Sequence, residues 1–222
     1  MEKPAKSKQS PAVEIFDQIE QLSEEWFNLR LGIPTTSNFG IIMASGRDGD
    51  ASKMRAELMR KMAGEILTGR VAEGKVKTAA MQRGNDMEPE AREYYAERHF
   101  GELRRIGFMR RKLPSGRYIG CSPDALIGDK KALEIKTMAP HLMIERLERG
   151  AGMPSEHRAQ IHGTMWVGDF DAVDLLLFYS GMPVAPKFTI QRDESFIKEI
   201  SNAVEIFDHE LHKLVDKIRR MA

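Results

Sequence analysis

Asp124, Glu134 and Lys136 fall in one short stretch, CSPDALIGDKKALEIKTM, which runs from residue 121 to 138. In a strand, side chains alternate between faces, so Leu133 and Ile135 would point one way and Glu134 and Lys136 the other. One carboxylate and one ammonium then stand side by side on a sheet surface. Asp124 follows a proline, and the Gly-Asp-Lys-Lys turn predicts that the chain folds it back beside Glu134. Two carboxylates and a backbone carbonyl are the hard oxygen ligands that Mg²⁺ and Mn²⁺ take. A lysine beside them can orient a water or stabilise negative charge growing on a phosphate. That set is what phosphodiester hydrolysis needs. The spacing fits a second reading equally, a solvated strand face beside a polar turn, because an acidic-x-Lys triplet recurs by chance in a chain that is 30% charged. Asp129, Lys130 and Lys131 are a competing match, but they sit in the turn, whereas apolar residues bracket Glu134 and Lys136.

The elements that must position these residues read as follows. Val13, Phe16 and Ile19 recur at helical spacing after Pro11, and Ser23 can cap a short helix, EEWFNLRL, that Gly32 ends. The hydroxyl-rich GIPTTSNFG that follows reads as a turn. A second helix is expected over about 51–68, where Met54, Leu58, Met62 and Ile66 form a stripe and Gly69 gives a stop. A third is expected to start near Glu88, with Pro89 in its first turn. Three helices would thus precede the first strand. From Gly101, short apolar runs alternate with Pro-Ser-Gly and Gly-Asp-Lys turns, the pattern of a three-stranded meander. A helix near 155–167, a strand in AVDLLLFYS apolar enough to be buried on both faces, a strand in KFTIQR and a long C-terminal helix complete the chain. That last helix carries Phe196, Ile200, Val204, Phe207, Leu211, Leu214 and Ile218 on one face, with Arg219 and Arg220 at its end. The class is mixed α/β, a small mixed sheet flanked by helices.

The 222 residues, 41% hydrophobic and 30% charged, suit a globular protein with one domain over 11–222 and a flexible tail over 1–10. Net charge is +1, from 34 basic and 33 acidic residues, so the chain is no polycation. Contact with nucleic acid would have to come from local clusters: Arg104 and Arg105, Arg110 to Lys112, Lys130 and Lys131. Such runs are usually solvated faces. As phosphate contacts they would make binding fall steeply with salt. Cys121 is the only cysteine, which excludes a disulfide framework or a cysteine-rich metal site and fits a reducing cytoplasm. No apolar run approaches a membrane span, and no apolar segment follows the basic N-terminus, so neither export by that route nor a membrane is expected. His157 and His162 do not share a helix face, and His209 and His212 lack a third ligand.

Four segments together carry a family resemblance. SPDALIG followed by LEIKT resembles the PD-(D/E)xK nuclease core. EEWFNLRLGIPTTSNF (24–39), RGNDMEPEAREYY (83–95) and HRAQIHGTMWV (157–167) resemble, in order, further motifs of the phage lambda exonuclease and YqaJ-type viral recombinase family. The likeness spans about 23–180. It implies a restriction-endonuclease-like fold. It implies further that Asp124, Glu134 and the Ile135 carbonyl bind metal, that Lys136 acts at the nucleophilic water, and that Glu88 is a further carboxylate near a second metal. Gln160 would orient the lysine or the scissile phosphate, and Arg30, with Thr35 and Ser37, would hold a 5'-phosphate. Met54 lies where the family places a wedge that parts DNA strands. Each has a plainer alternative: a glutamate favouring a helix N-terminus, a surface glutamine, an arginine closing a helix, and an ordinary core methionine. Trp26 and Trp166 are expected to pack.

The activity implied is a Mg²⁺-dependent 5'-to-3' exonuclease, with a two-metal site and Mn²⁺ as a substitute. It would degrade one strand of linear duplex DNA to mononucleotides and leave a 3' overhang for annealing recombination. The resemblance also implies a homotrimeric ring, a separate single-strand annealing protein, and a phage or prophage origin in a bacterial cytoplasm. Two alternatives stand beside it: a PD-(D/E)xK endonuclease, and a non-catalytic DNA-end-binding module, against which the intact Asp124, Glu134 and Lys136 argue.

Overall fold

The computed structural model describes residues 13–44, 53–72, 79–99 and 102–221; the tail expected over 1–10 lies outside them. In chain order the elements are β1 (Val13–Phe16), α1 (Glu24–Leu29), a 3-10 turn (Thr36–Asn38), α2 (Phe39–Met43), α3 (Lys53–Thr68) and α4 (Ala79–His99). Then come β2 (Leu103–Arg104), β3 (Phe108–Lys112), β4 (Tyr118–Cys121), β5 (Ala125–Ile127) and β6 (Lys131–Thr137). α5 (Pro140–Glu148), a second 3-10 turn (Ser155–His157), α6 (Arg158–Gly168), β7 (Ala172–Phe178), β8 (Lys187–Gln191) and α7 (Glu194–Arg219) complete the fold.

The apolar run of β7 is buried at every position, as expected of a strand covered on both faces. It lies in a five-stranded sheet of order β2-β5-β6-β7-β8. In this sheet, among the described residues, β6 and β7 are the one pair that runs parallel, Glu134 opposite Leu175 and Lys136 opposite Leu177; a parallel pair needs a crossover, and α5 and α6 supply it. One face of the sheet packs Leu133, Ile135, Leu176 and Phe178 under Ala91 and Tyr95 of α4. The other builds the larger core with residues of α2, α3, α6 and α7. α7 starts on Asp193, whose carboxylate accepts the Phe196 N–H, and buries Ile197, Ile200, Val204, Phe207, Leu211 and Val215. Each contributes about 1.5–3 kcal/mol relative to an exposed position.

Several expectations are corrected. Val13–Phe16 is a strand, not a helix: it pairs with β3, Val13 opposite Arg111 and Phe16 opposite Phe108, and tertiary pairing overrides a helical spacing carried by only three residues. The meander is five strands divided between two sheets, because β3 and β4 leave to form a three-stranded sheet with β1. The third helix begins at Ala79, so Glu88 is mid-helix and Pro89 is internal; the helix-N-terminus explanation of Glu88 therefore fails. The hydroxyl-rich turn is partly helical, and α5 was not anticipated. Its apolar Leu142, Ile144 and Leu147 are exposed and only Met143 is buried, so no stripe announces it.

Candidate active site

β5 ends its ladder at Ala125, opposite Leu133, and leaves the next ladder position of β6 open. Asp124 fills it with a side chain: its N–H donates to the Leu133 carbonyl at 3.1 Å, and its Oδ2 accepts the Ile135 N–H at 2.5 Å. The N–H and carbonyl of one strand residue face the same edge, so the Ile135 carbonyl opens toward Asp124. Glu134 points to the other face from Leu133 and Ile135, and its Oε1 accepts from Lys136 Nζ at 2.7 Å and from Gln160 Nε2 at 2.5 Å. Gln160 thus comes in from α6 to touch the carboxylate, not the lysine, and is no surface glutamine. Glu88 accepts from Arg92 one turn along α4.

Asp124, Glu134 and Glu88 each commit one oxygen to these bonds, and among the described residues no protein donor reaches the other. Negative charge is in excess. Burial, followed by the charges of Glu134 and Glu88, holds the Asp124 carboxyl well above the usual carboxylate range. Burial alone would lower the Lys136 ammonium, but Glu134 and Asp124 outweigh it and the lysine is raised. No three His, Cys, Asp or Glu side chains among the described residues are already gathered as a metal cage. The donor set nonetheless fits a hard divalent cation: uncommitted carboxylate oxygens and a carbonyl, with repulsion that a cation would relieve.

The second cluster lies in the same cleft, about 1030 Å³ in volume, whose lining includes Arg30, Ser37, Glu88, Asp124 and Lys136. Ser23 caps α1, and Arg30 closes it. The Trp26 indole, buried beneath, donates to the Gly107 carbonyl and to Ser122 Oγ, each at 2.9 Å. The Arg30 guanidinium lies 3.8 Å above that indole and reaches Ser122 Oγ at 3.3 Å and Thr35 Oγ1 at 3.4 Å. Thr35 is fixed by a parallel bridge to Gly120 of β4, and its hydroxyl lies 3.2 Å from that of Ser37. Arg30 has no carboxylate in salt-bridge contact among the described residues, and burial pulls it down to about 10. A half-buried cation ringed by hydroxyls is a donor set whose chemistry suits an anion.

Ser122 was missed in the sequence, although it stands in the same Cys-Ser-Pro-Asp stretch as Asp124; only the tertiary contact with Arg30 singles it out. Met54 does not join the site. It is 62% exposed at the start of α3, which overturns the core reading, and it is not among the residues lining the cleft. The basic clusters are largely committed: Arg110 to Glu14, Arg104 to Asp17, Lys130 to Asp169 and Lys131 to Asp174. Arg111 is buried and donates to the Val167 carbonyl. No helix among the described residues is long and apolar enough to cross a membrane.

Comparison with known proteins agrees with this geometry. The profile of the YqaJ-like viral recombinase domain matches residues 25–171. The crystal structure of an alkaline exonuclease (LHK-Exo) from Laribacter hongkongensis superposes with a TM-score of 0.77 at 29% identity, over 90% of this chain and 97% of that one. The same protein in complex with dAMP superposes equally well. A phage-related exonuclease from Haemophilus somnus shares the fold, with a TM-score of 0.59 at 18% identity over 86% of this chain and 99% of that one. No curated protein sequence gave a significant match. The fold is therefore mixed α/β of the restriction-endonuclease-like, PD-(D/E)xK type.

Proposed function

The chain belongs to the YqaJ-like viral recombinase family, and from that premise we propose that it is a Mg²⁺-dependent exonuclease that degrades one strand of linear duplex DNA from its 5' end to mononucleotides. One observation supports the reading above others: a single cleft holds both an arginine without a carboxylate partner and a carboxylate-lysine set. One station suits a terminal phosphate and the other a scissile one.

Arg30, with the hydroxyls of Thr35, Ser37 and Ser122, binds the 5'-phosphate and so sets where cutting begins. Asp124, Glu134 and the Ile135 carbonyl would hold the divalent cation, with Glu88 available to a second, and the metal would supply Lewis-acid polarisation of the scissile phosphate. Gln160 fixes the rotamer of Glu134. Lys136, whose Nζ lies 2.7 Å from Glu134 Oε1, faces the same cleft as Asp124. It donates to the attacking water or to a phosphate oxygen and stabilises charge that grows as the bond to the leaving 3' oxygen breaks. On the same reading, residues 11–222 act as one nuclease domain. The protein works as a homotrimeric ring and passes the remaining 3' strand to a single-strand annealing protein in a bacterial cytoplasm.

The test is digestion of linear duplexes labelled at either end, with and without a 5'-phosphate, beside a covalently closed circle. Loss of label from the 5' end first, slower attack without the phosphate and an intact circle are expected. Cleavage of the circle would make the protein an endonuclease. DNA binding without Mg²⁺-dependent cleavage of any substrate would make it an end-binding module.

A further inference from the structure

Leu22 is one of two non-glycine residues with positive φ among the described residues, at 71°; the other, Asp169 at 58°, closes α6. Aspartate visits the left-handed region readily because its short polar side chain bonds locally. Leucine has no such compensation, and a position of this kind persists only where its surroundings over-determine it. Here they do. Gln21, next to it, donates Nε2 to the Ile106 carbonyl at 3.0 Å and to the Pro123 carbonyl at 3.1 Å. On the other side the Ser23 N–H donates to the Glu20 carbonyl at 3.2 Å, and Ser23 Oγ caps α1. The turn is thus tied to the residue that immediately precedes Asp124.

The side chain held in this way does little for the core. It is 46% exposed, and it lines the cleft that holds Arg30, Glu88, Asp124 and Lys136, with Phe27 and Val71 as further apolar lining. A strained backbone that displays a large apolar group into a charged cleft is a functional arrangement, not a packing one. Accepting the exonuclease reading, the phosphates of the terminal nucleotide lie at Arg30 and at the Asp124, Glu134 and Lys136 set, and what remains to be seated is a base with an apolar face.

We propose that Leu22 is the wall of a nucleobase subsite, against which the base of the 5'-terminal nucleotide rests while its strand is cut. Such a contact tolerates every base, because each presents a π-face.

Leu22→Gly separates this role from a structural one, since glycine is relaxed at positive φ. Its melting temperature should equal or exceed that of the wild type, while kcat/KM on 5'-phosphorylated duplex falls about tenfold, the scale of a lost apolar contact. On a duplex whose 5'-terminal nucleotide is abasic, wild type should drop to the level of the variant and the variant should change little. Leu22→Asn, which keeps the left-handed backbone, should be slowed on the normal end as well. Equal slowing of Leu22→Gly on normal and abasic ends, or a wild-type rate in either variant, would overturn the subsite and leave the exonuclease reading standing. A wild-type protein that leaves every duplex intact would remove both.

Discussion

Replacing Gln160 by leucine would keep the bulk of the side chain and remove one of the two donors on Glu134 Oε1, leaving Lys136 Nζ at 2.7 Å as the other. A hydrogen bond to a charged group contributes about 1.5–3 kcal/mol. At about 1.4 kcal/mol per tenfold, full expression of that loss in the transition state slows cleavage by roughly 10- to 150-fold. Part of the loss should appear as weaker metal binding, because a Glu134 that turns freely must be ordered again before it can act as a ligand, and excess Mg²⁺ then restores part of the rate. The assay is single-turnover digestion of 5'-phosphorylated duplex across a Mg²⁺ titration, with chemical denaturation to separate rate from stability. Gln160→Glu should be slower still, since it adds charge to a site already in negative excess. A Gln160→Leu rate within about twofold of wild type at every Mg²⁺ concentration, far short of the loss expected for a charged hydrogen bond, would refute the positioning role.

Four further outcomes follow from the same geometry. Asp124 is raised by burial and by Glu134 and Glu88, so protons compete for the ligand site and apparent Mn²⁺ affinity, read by paramagnetic resonance, should fall steadily from alkaline to mildly acidic pH. The sign for folding is the reverse: a raised carboxyl contributes its stability below the unfolded value of about 3.9 and loses it as pH rises through the folded value. Asp124→Asn should therefore raise the neutral-pH melting temperature of the metal-free protein while abolishing cleavage. Arg30→Lys should erase the preference for a 5'-phosphate, measured as the ratio of rates on phosphorylated and unphosphorylated ends, because an ammonium cannot reproduce the guanidinium fork. Asp174→Ala, which strands Tyr95, Thr189, Lys131 and Lys187, should cost roughly 3–5 kcal/mol in urea denaturation.

What was legible in the sequence divides by range. The alternation in β6 put Glu134 and Lys136 on one face, and the turn before it returned Asp124 to their side; both are local facts, and both hold in the fold. β7 and α7 were legible because long apolar runs and long amphipathic stripes have few other solutions. β1 was not, since four residues say little until Gly107 is known to lie so close that a Cβ there would come within 2.0 Å of the Ile19 carbonyl oxygen. α4 was misread through Pro89, whose usual place is a first turn and which here sits well inside a 21-residue helix. Ser122 and Leu22 could not be seen at all: a serine becomes an arginine ligand, and a leucine an exposed wall, only through contacts and backbone angles that spacing does not encode.

Two acidic clusters share the central sheet, and spacing along the chain does not separate them. Asp174 is wholly buried on the α4 face, yet Tyr95 at 2.5 Å, Thr189 at 2.6 Å and Lys131 at 2.8 Å supply it with donors. Burial works to raise its carboxyl, but the bonds from Lys131, Thr189 and Tyr95 prevail and it lies below the ordinary range. Its contribution is present above about pH 3.9 and lost as pH falls through the lower folded value, so the folded chain alone satisfies it. Asp124 is driven the other way. Its neighbours include two carboxylates and one lysine, and its carboxyl rises. A fold that had only stability to serve would complete this cluster as it completes the first, with a second cation or with one fewer acid. Asp124, Glu134 and Glu88 set three acids against Lys136 and Arg92, a deficit of one positive charge, in a cleft that also carries Arg30 with no carboxylate in salt-bridge contact among the described residues; a divalent cation and a phosphate held there would answer both at once.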